Sequence, residues 1–172
     1  MKKIVTHGIT NLEPLDGSWE WYWGTDYIHG DLYEAQELYQ DHHPVQCNRL
    51  VFVHYPDGRI VEPVKREAGC YFGRPIFYHD TIQLLVANFP KASLHILQYN
   101  DALNQVTETA SLSLTEVGSC YNLLLYSSPL MLTRQENDGR FQMLWPEKVE
   151  FEIGENESFY DTVKTFDSFG VD

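Results

Sequence analysis

At 172 residues, 43% of them hydrophobic, the chain is long enough for one domain with a real core and too apolar for a disordered polymer. Its formal net charge is −13 and it has no run of Lys or Arg, which sets it against phosphate backbones and anionic lipid. Nucleic acid and membrane surfaces are thereby excluded as expected partners.

The N-terminus, MKKIVTHG, carries two lysines followed only by Ile4 and Val5, too little for the apolar segment of a signal peptide. No stretch has the length needed to cross a bilayer. Cys47, Cys70 and Cys120 are widely spaced and fit buried thiols in a reducing compartment, not a disulfide framework or a zinc pattern. The expectation is a single cytoplasmic domain over residues 1–172, without cofactor or metal.

The first strand expected is Trp19 to Trp23. Asp31 then reads as the cap of a helix from Leu32 to Gln40, with Glu34 completing a capping-box-like pattern. Leu32, Ala35, Leu38 and Tyr39 supply its apolar stripe, and Pro44 stops it soon after His43. Arg49 to Tyr55 and Arg59 to Val64 flank Pro56-Asp57-Gly58, a hairpin signal with a type I turn and a glycine bulge. Strands follow at Pro75 to Tyr78, Ile82 to Asn88, Ser93 to Tyr99, Gln105 to Ala110 and Tyr121 to Tyr126. Pro129 to Arg134 and Arg140 to Trp145 flank a second turn, Asn137-Asp138-Gly139, and Lys148 to Ile153 closes the series.

Strands at this spacing with turn residues between them predict an all-β fold, an antiparallel meander of about a dozen short strands with one short helix. Two-sheet sandwich or barrel-like packing is favoured. Incomplete β-propeller-like blades are the alternative. The acidic run from Glu147 to Asp172 reads as a solvated face or tail.

Four segments, WYWGTDYIHGDLYEAQELY, NRLVFVHYPDGRIVEPV, CYNLLLYSSPLMLTR and WPEKVEFEIGENESF, together about half the chain, resemble a group of uncharacterised bacterial proteins. The resemblance carries no activity and transfers no functional residue. It implies that relatives run on past Ser158-Phe159, so the tail from Tyr160 to Asp172 is expected to be mobile, atypical or truncated.

The densest chemistry lies in Gly17 to Glu37, where Trp19, Trp21, Trp23, Tyr22, Tyr27 and Tyr33 mix with Glu20, Asp26, Asp31, Glu34 and Glu37. On an extended strand Trp19, Trp21 and Trp23 share a face. Such a face is either core or a platform on which a sugar ring or a cation sits, with carboxylates beside it accepting hydrogen bonds. The ligand-binding residues expected are Trp21, Trp23, Asp26, His29 and Asp31. His29 with Asp31, Asp41-His42-His43 and His79-Asp80 lack the spacing of a metal site. No nucleophile elbow or glycine-rich phosphate loop occurs. The leading reading is a non-catalytic binding or interaction protein, for a small polar ligand or a protein partner, with a homo-oligomer allowed. Carbohydrate binding, and a glycoside or metal-dependent hydrolase in the same cleft, are the alternatives.

Overall fold

The computed structural model describes residues 1–136 and 139–152. Asn137, Asp138, Ile153 and the tail from Tyr160 to Asp172 lie outside the described residues. The strands form three antiparallel sheets that follow one another along the chain. Sheet one holds β1 (Glu13–Pro14), β2 (Trp21–Thr25), β3 (Leu50–His54) and β4 (Ile60–Val61). Between β2 and β3 the chain makes a 3-10 turn at Ile28–Gly30 and then helix α1 (Leu32–Gln40). Sheet two holds β5 (Cys70–Phe72), β6 (Ile76–Tyr78), β7 (Thr81–Asn88), β8 (Ser93–Asn100) and β9 (Gln105–Ser113). Both β5 and β6 pair with β7. A single helical turn, α2 (Leu114–Val117), leads to sheet three: β10 (Leu123–Ser127), β11 (Leu130–Gln135), β12 (Arg140–Trp145) and β13 (Val149–Glu152).

The all-β expectation holds, with α1 as the helix. Among the described residues no sheet closes into a barrel, and the sheets pack face to face as in a sandwich. They number three, each a run of consecutive strands, and that serial order is the one the blade-like alternative also requires.

The centre of the fold is β7, buried along its whole length. Alternation along a strand sends successive side chains to opposite faces. Ile82, Leu84 and Val86 meet Trp21, Trp23, Leu50 and Phe52 of sheet one. Leu85 and Ala87 meet Leu32 and Ala35 of α1 and Leu123, Leu125 and Leu132 of sheet three. Sheet two is therefore a middle layer with a core on each side. A third cluster, Met131, Phe141 and Met143, lies on the other face of sheet three.

Local chemistry explains where the elements differ from expectation. The first long strand starts at Trp21, not Trp19, because the Ser18 hydroxyl accepts from the Glu20 and Trp21 N–H groups at 3.1 and 3.2 Å and bends the chain. Strand β5 is three residues long, too short to show a period, and forms by pairing with β7. The loop after β3 is a residue wider than a type I turn. His54 N–H donates to Arg59 O, Gly58 N–H donates to His54 O at 2.8 Å, and Gly58 takes the expected positive φ of 73°. Helix α1 has its expected bounds, and Asp31 Oδ1 accepts from Tyr33 and Glu34 N–H. The Asp31 N–H goes to Ile28 O at 2.8 Å, so the return half of the capping box is replaced by the preceding turn.

Two polar clamps join sheets one and two. Asn48, fully buried, donates to Tyr27 O at 3.3 Å and accepts from Phe72 N–H at 2.8 Å. At the other end Arg59 reaches both carboxylate oxygens of Asp101 at 2.8 Å and lies over the Trp21 ring, which also packs on His54.

Leu85→Ala is expected to lower unfolding free energy by about 2–5 kcal/mol in urea titrations, because it opens a cavity in the middle layer. Leu103→Ala, at an exposed turn, should stay within about 0.5 kcal/mol. The Arg59 hydrogen bonds hold the Asp101 carboxyl below its usual range, with burial opposing. A depressed carboxylate stabilises the fold above its unfolded pKa, and that contribution disappears as pH falls through the folded value. Between about pH 5 and pH 2, the urea midpoint of Asp101→Asn should therefore fall less steeply than that of the parent.

Candidate functional site

The chain crosses from β2 to α1 on three consecutive residues at positive φ: Ile28 at 61°, His29 at 43° and Gly30 at 82°. For a β-branched residue this region is an outlier, and such strain persists only where the surroundings enforce it. What enforces it is close backbone contact. A Cβ on Gly30 would lie 2.9 Å from the Arg74 backbone N and Cα, so only glycine lets the turn seat against the connection between β5 and β6.

That seating builds one wall of a groove of about 220 Å³, lined by His29, Asp31, Tyr33, Arg74, Tyr121 and Asn122 among others. The opposite wall is the segment entering β10, where Asn122 also takes a positive φ of 51°. The aromatic rings of Tyr33 and Tyr121 meet edge to face at 5.5 Å. A hydrogen bond to the Glu37 carboxylate raises the Tyr33 hydroxyl above its ordinary range and keeps it neutral. The Asn122 Nδ2 donates to Gln135 O at 3.0 Å, which turns its Oδ1 into the remaining acceptor. Cys120 also lines the groove, but burial pushes its thiol up to about 11, so it is a neutral thiol and a poor nucleophile.

Arg74 is the hinge of this surface. Its guanidinium lies over the Trp23 ring at 5.4 Å and pairs with Glu13 at 3.3 Å and Asp16 at 3.7 Å. Stacking and two carboxylates together fix its orientation. A second hollow of about 190 Å³ opens on the far side of Arg74, lined by Asp16, Ile76, Tyr126 and Ser127, and the two share Leu124.

The structure separates the five residues expected to bind a ligand. His29 and Asp31 line the groove. Trp23 does not line the groove and lies buried beneath Arg74, whose guanidinium rests on its ring. Trp21 lies at the Arg59 clamp instead, and Asp26 faces a basin with His7, Arg49, Glu62, Lys65 and Arg66, where its Oδ1 accepts from Arg49 N–H at 2.7 Å. The three-indole platform does not form. Trp21 and Trp23 share a face but turn it to sheet two, at 5% and 2% exposure, while Trp19 precedes the strand at 96%. Covering two indoles with an aliphatic sheet removes more apolar surface from water than leaving them for a ligand.

Arg74, Tyr121 and Asn122 were outside the sequence expectation. The signal for the first is a lone cation set between Gly73 and Pro75, two residues that stop a strand. Among the described residues no three His, Cys, Asp or Glu side chains gather as a metal site. No described helix is long and apolar enough to cross a membrane. No family model, curated protein or solved structure matches the chain.

Gly30→Ala should cost about 1–3 kcal/mol by urea denaturation and displace Arg74. Gly8→Ala is the control, since Gly8 also has positive φ but nothing within 4 Å of an added Cβ. An equal cost at both positions would sink the idea that Arg74 demands the glycine.

Proposed function

We propose that the protein is a binding protein whose ligand is a small neutral polyol of monosaccharide size, held in the groove between the N-terminus of α1 and β10. The observation that carries this reading is the strained Ile28–Gly30 turn, locked against Arg74 and holding His29 and Asp31 at the rim. Strain of this kind concentrates at ligand clamps. The lining chemistry supports a neutral hydroxylated ligand. Asp31 uses Oδ1 for the helix cap, which leaves Oδ2 to accept a hydroxyl. Asn122 Oδ1 accepts as well, Arg74 donates, and the tyrosine pair offers an aromatic edge. Arg74 is already neutralised by Glu13 and Asp16, so an anion gains little there. The volume lies below that of pockets for drug-sized molecules. Asp31 is the one carboxylate among the residues lining this groove, whereas glycoside hydrolysis needs a pair, so the groove fits binding and not bond cleavage.

A second reading, contact with a protein or a second copy of the chain, draws on Trp19 and Tyr55. They are exposed at 96% and 61%, and the Tyr55 N–H donates to Glu20 O beside Trp19.

One titration addresses both. Tryptophan emission is recorded against a panel of monosaccharides and polyols, with acrylamide quenching at low and high protein concentration. Saturable change with one sugar, weakened at least about tenfold by Arg74→Ala and by Asn122→Ala, supports the groove. No response to any member, with the fold intact, removes it. Protection from acrylamide only at high protein concentration, abolished by Trp19→Ser, assigns the exposed indole to self-contact.

A further inference from the structure

Sheet two carries a second constellation, remote in sequence from the groove and independent of it. Ser93 Oγ lies 2.8 Å from His95 Nε2, and His95 Nδ1 lies 2.8 Å from Glu108 Oε2. A carboxylate only accepts, so the Nδ1 nitrogen carries the proton. Nε2 is then the acceptor, and the Ser93 hydroxyl donates to it. This is the order of groups that activates a serine: hydroxyl, imidazole base and a carboxylate that fixes the tautomer.

The placement of Glu108 depends on a backbone irregularity. Ser93 pairs with Ser113, His95 with Ser111 and Ile96 with Ala110, but Leu97 pairs with Glu108. Strand β9 therefore spends one extra residue, Thr109, at this point. Slipping one residue turns a side chain to the opposite face of a sheet. Without the bulge Glu108 would point away from His95, and with it Glu108 joins the face of Ser93, His95 and Leu97. Bulges re-aim side chains in this way, often beside active sites. The sheet adds further polar groups to the same row. Ser93 is paired with Asn88 of β7 on one side and with Ser113 of β9 on the other. Directly opposed side chains stand roughly 4.5–5.5 Å apart at Cβ. Asn88 Oδ1 is held by Lys91 N–H at 3.1 Å, which leaves its amide hydrogens as donors. The Ser113 hydroxyl accepts from Thr115 N–H and keeps its own proton to donate.

We propose that Ser93 is a base-activated nucleophile and that the face of Ser93, His95 and Glu108 cleaves small, unhindered carboxylic esters. Ser93 Oγ attacks the carbonyl carbon while His95 Nε2 takes its proton. The ester C–O bond breaks, and the departing alcohol takes that proton from His95. Water then attacks the acyl group on Ser93, passes a proton to Nε2, and releases the acid as the proton returns to Oγ. Asn88 and Ser113, the cross-strand neighbours of Ser93, are the donors assigned to the oxyanion in this scheme. Glu108 touches only His95 and is a positioning residue. Ser93 and His95 are half-buried and Glu108, Ser111 and Ser113 are exposed, so the face is open to a small ester and offers a long acyl chain no enclosed cleft.

The test uses the whole chain with a fluorophosphonate probe and with p-nitrophenyl acetate. The expected result is one label per chain, mapped to Ser93 by peptide mass spectrometry, with catalytic release of p-nitrophenol. Ser93→Ala should lose the label, and His95→Gln should slow labelling by at least about 100-fold. Glu108→Gln should slow it less, and Glu108→Asp should restore part of the rate. Circular dichroism and melting of each variant verify the fold. Labelling of other residues alone, no labelling, or His95→Gln reacting at the parent rate would show the three groups to be a cross-strand hydrogen-bond chain without chemistry.

Discussion

Burial of β7 on both faces is the constraint on which the rest of the structure depends. A strand buried at every position must be covered on both faces, and here a layer stacks on each side of it. Sheet one supplies one cover with Trp21, Trp23 and Phe52. Helix α1 and sheet three supply the other with Leu32, Ala35 and Leu125. The position of α1 then follows. It leaves sheet one after β2 and must reach the far side of sheet two, so the chain turns sharply at Ile28–Gly30 and passes tight against Arg74. The groove is thus a product of how the layers are connected. Its walls are the crossing point and the first strand of sheet three.

Much of the fold was legible because it rests on local signals. Asp31 and the Leu32, Ala35 and Leu38 spacing marked α1 to the residue, and glycine at position 58 marked its turn. Short pieces such as β5 and α2 carry no period and take shape only from tertiary partners. The candidate site was half legible. His29 and Asp31 stood out by type. Arg74, Tyr121 and Asn122 arrive from other parts of the chain, and nothing local joins them to Gly30. The indoles misled for a physical reason. Alternation correctly placed Trp21 and Trp23 on one face, but a sequence does not say which face another sheet will cover. The Ser93, His95 and Glu108 group was invisible for a different reason, since it requires a bulge whose only trace is Thr109 in a run of polar strand residues.

The two candidate sites use opposite structural means. The groove is set by backbone strain and by an arginine fixed between an indole and two carboxylates, a rigid surface suited to recognition. The serine face is set by register on one side of a sheet, and its members come from adjacent strands. A single sheet layer thus supplies Arg74 to the groove from the connection between β5 and β6, and carries the Ser93, His95 and Glu108 group on β8 and the edge strand β9.

The serial order of the sheets has a consequence for how the molecule comes into being. Each sheet is complete once its own stretch of chain exists, and none needs a strand from another. During synthesis, the last strand of sheet one, ending at Val61, emerges ahead of β7, which starts at Thr81, so sheet one can pair its strands first. Until β7 emerges the face bearing Trp21 and Trp23 has no lid, so the nascent chain passes through an interval in which an apolar surface is already organised and still wet. The hazard of misassociation belongs to that interval, and it ends with the arrival of one strand.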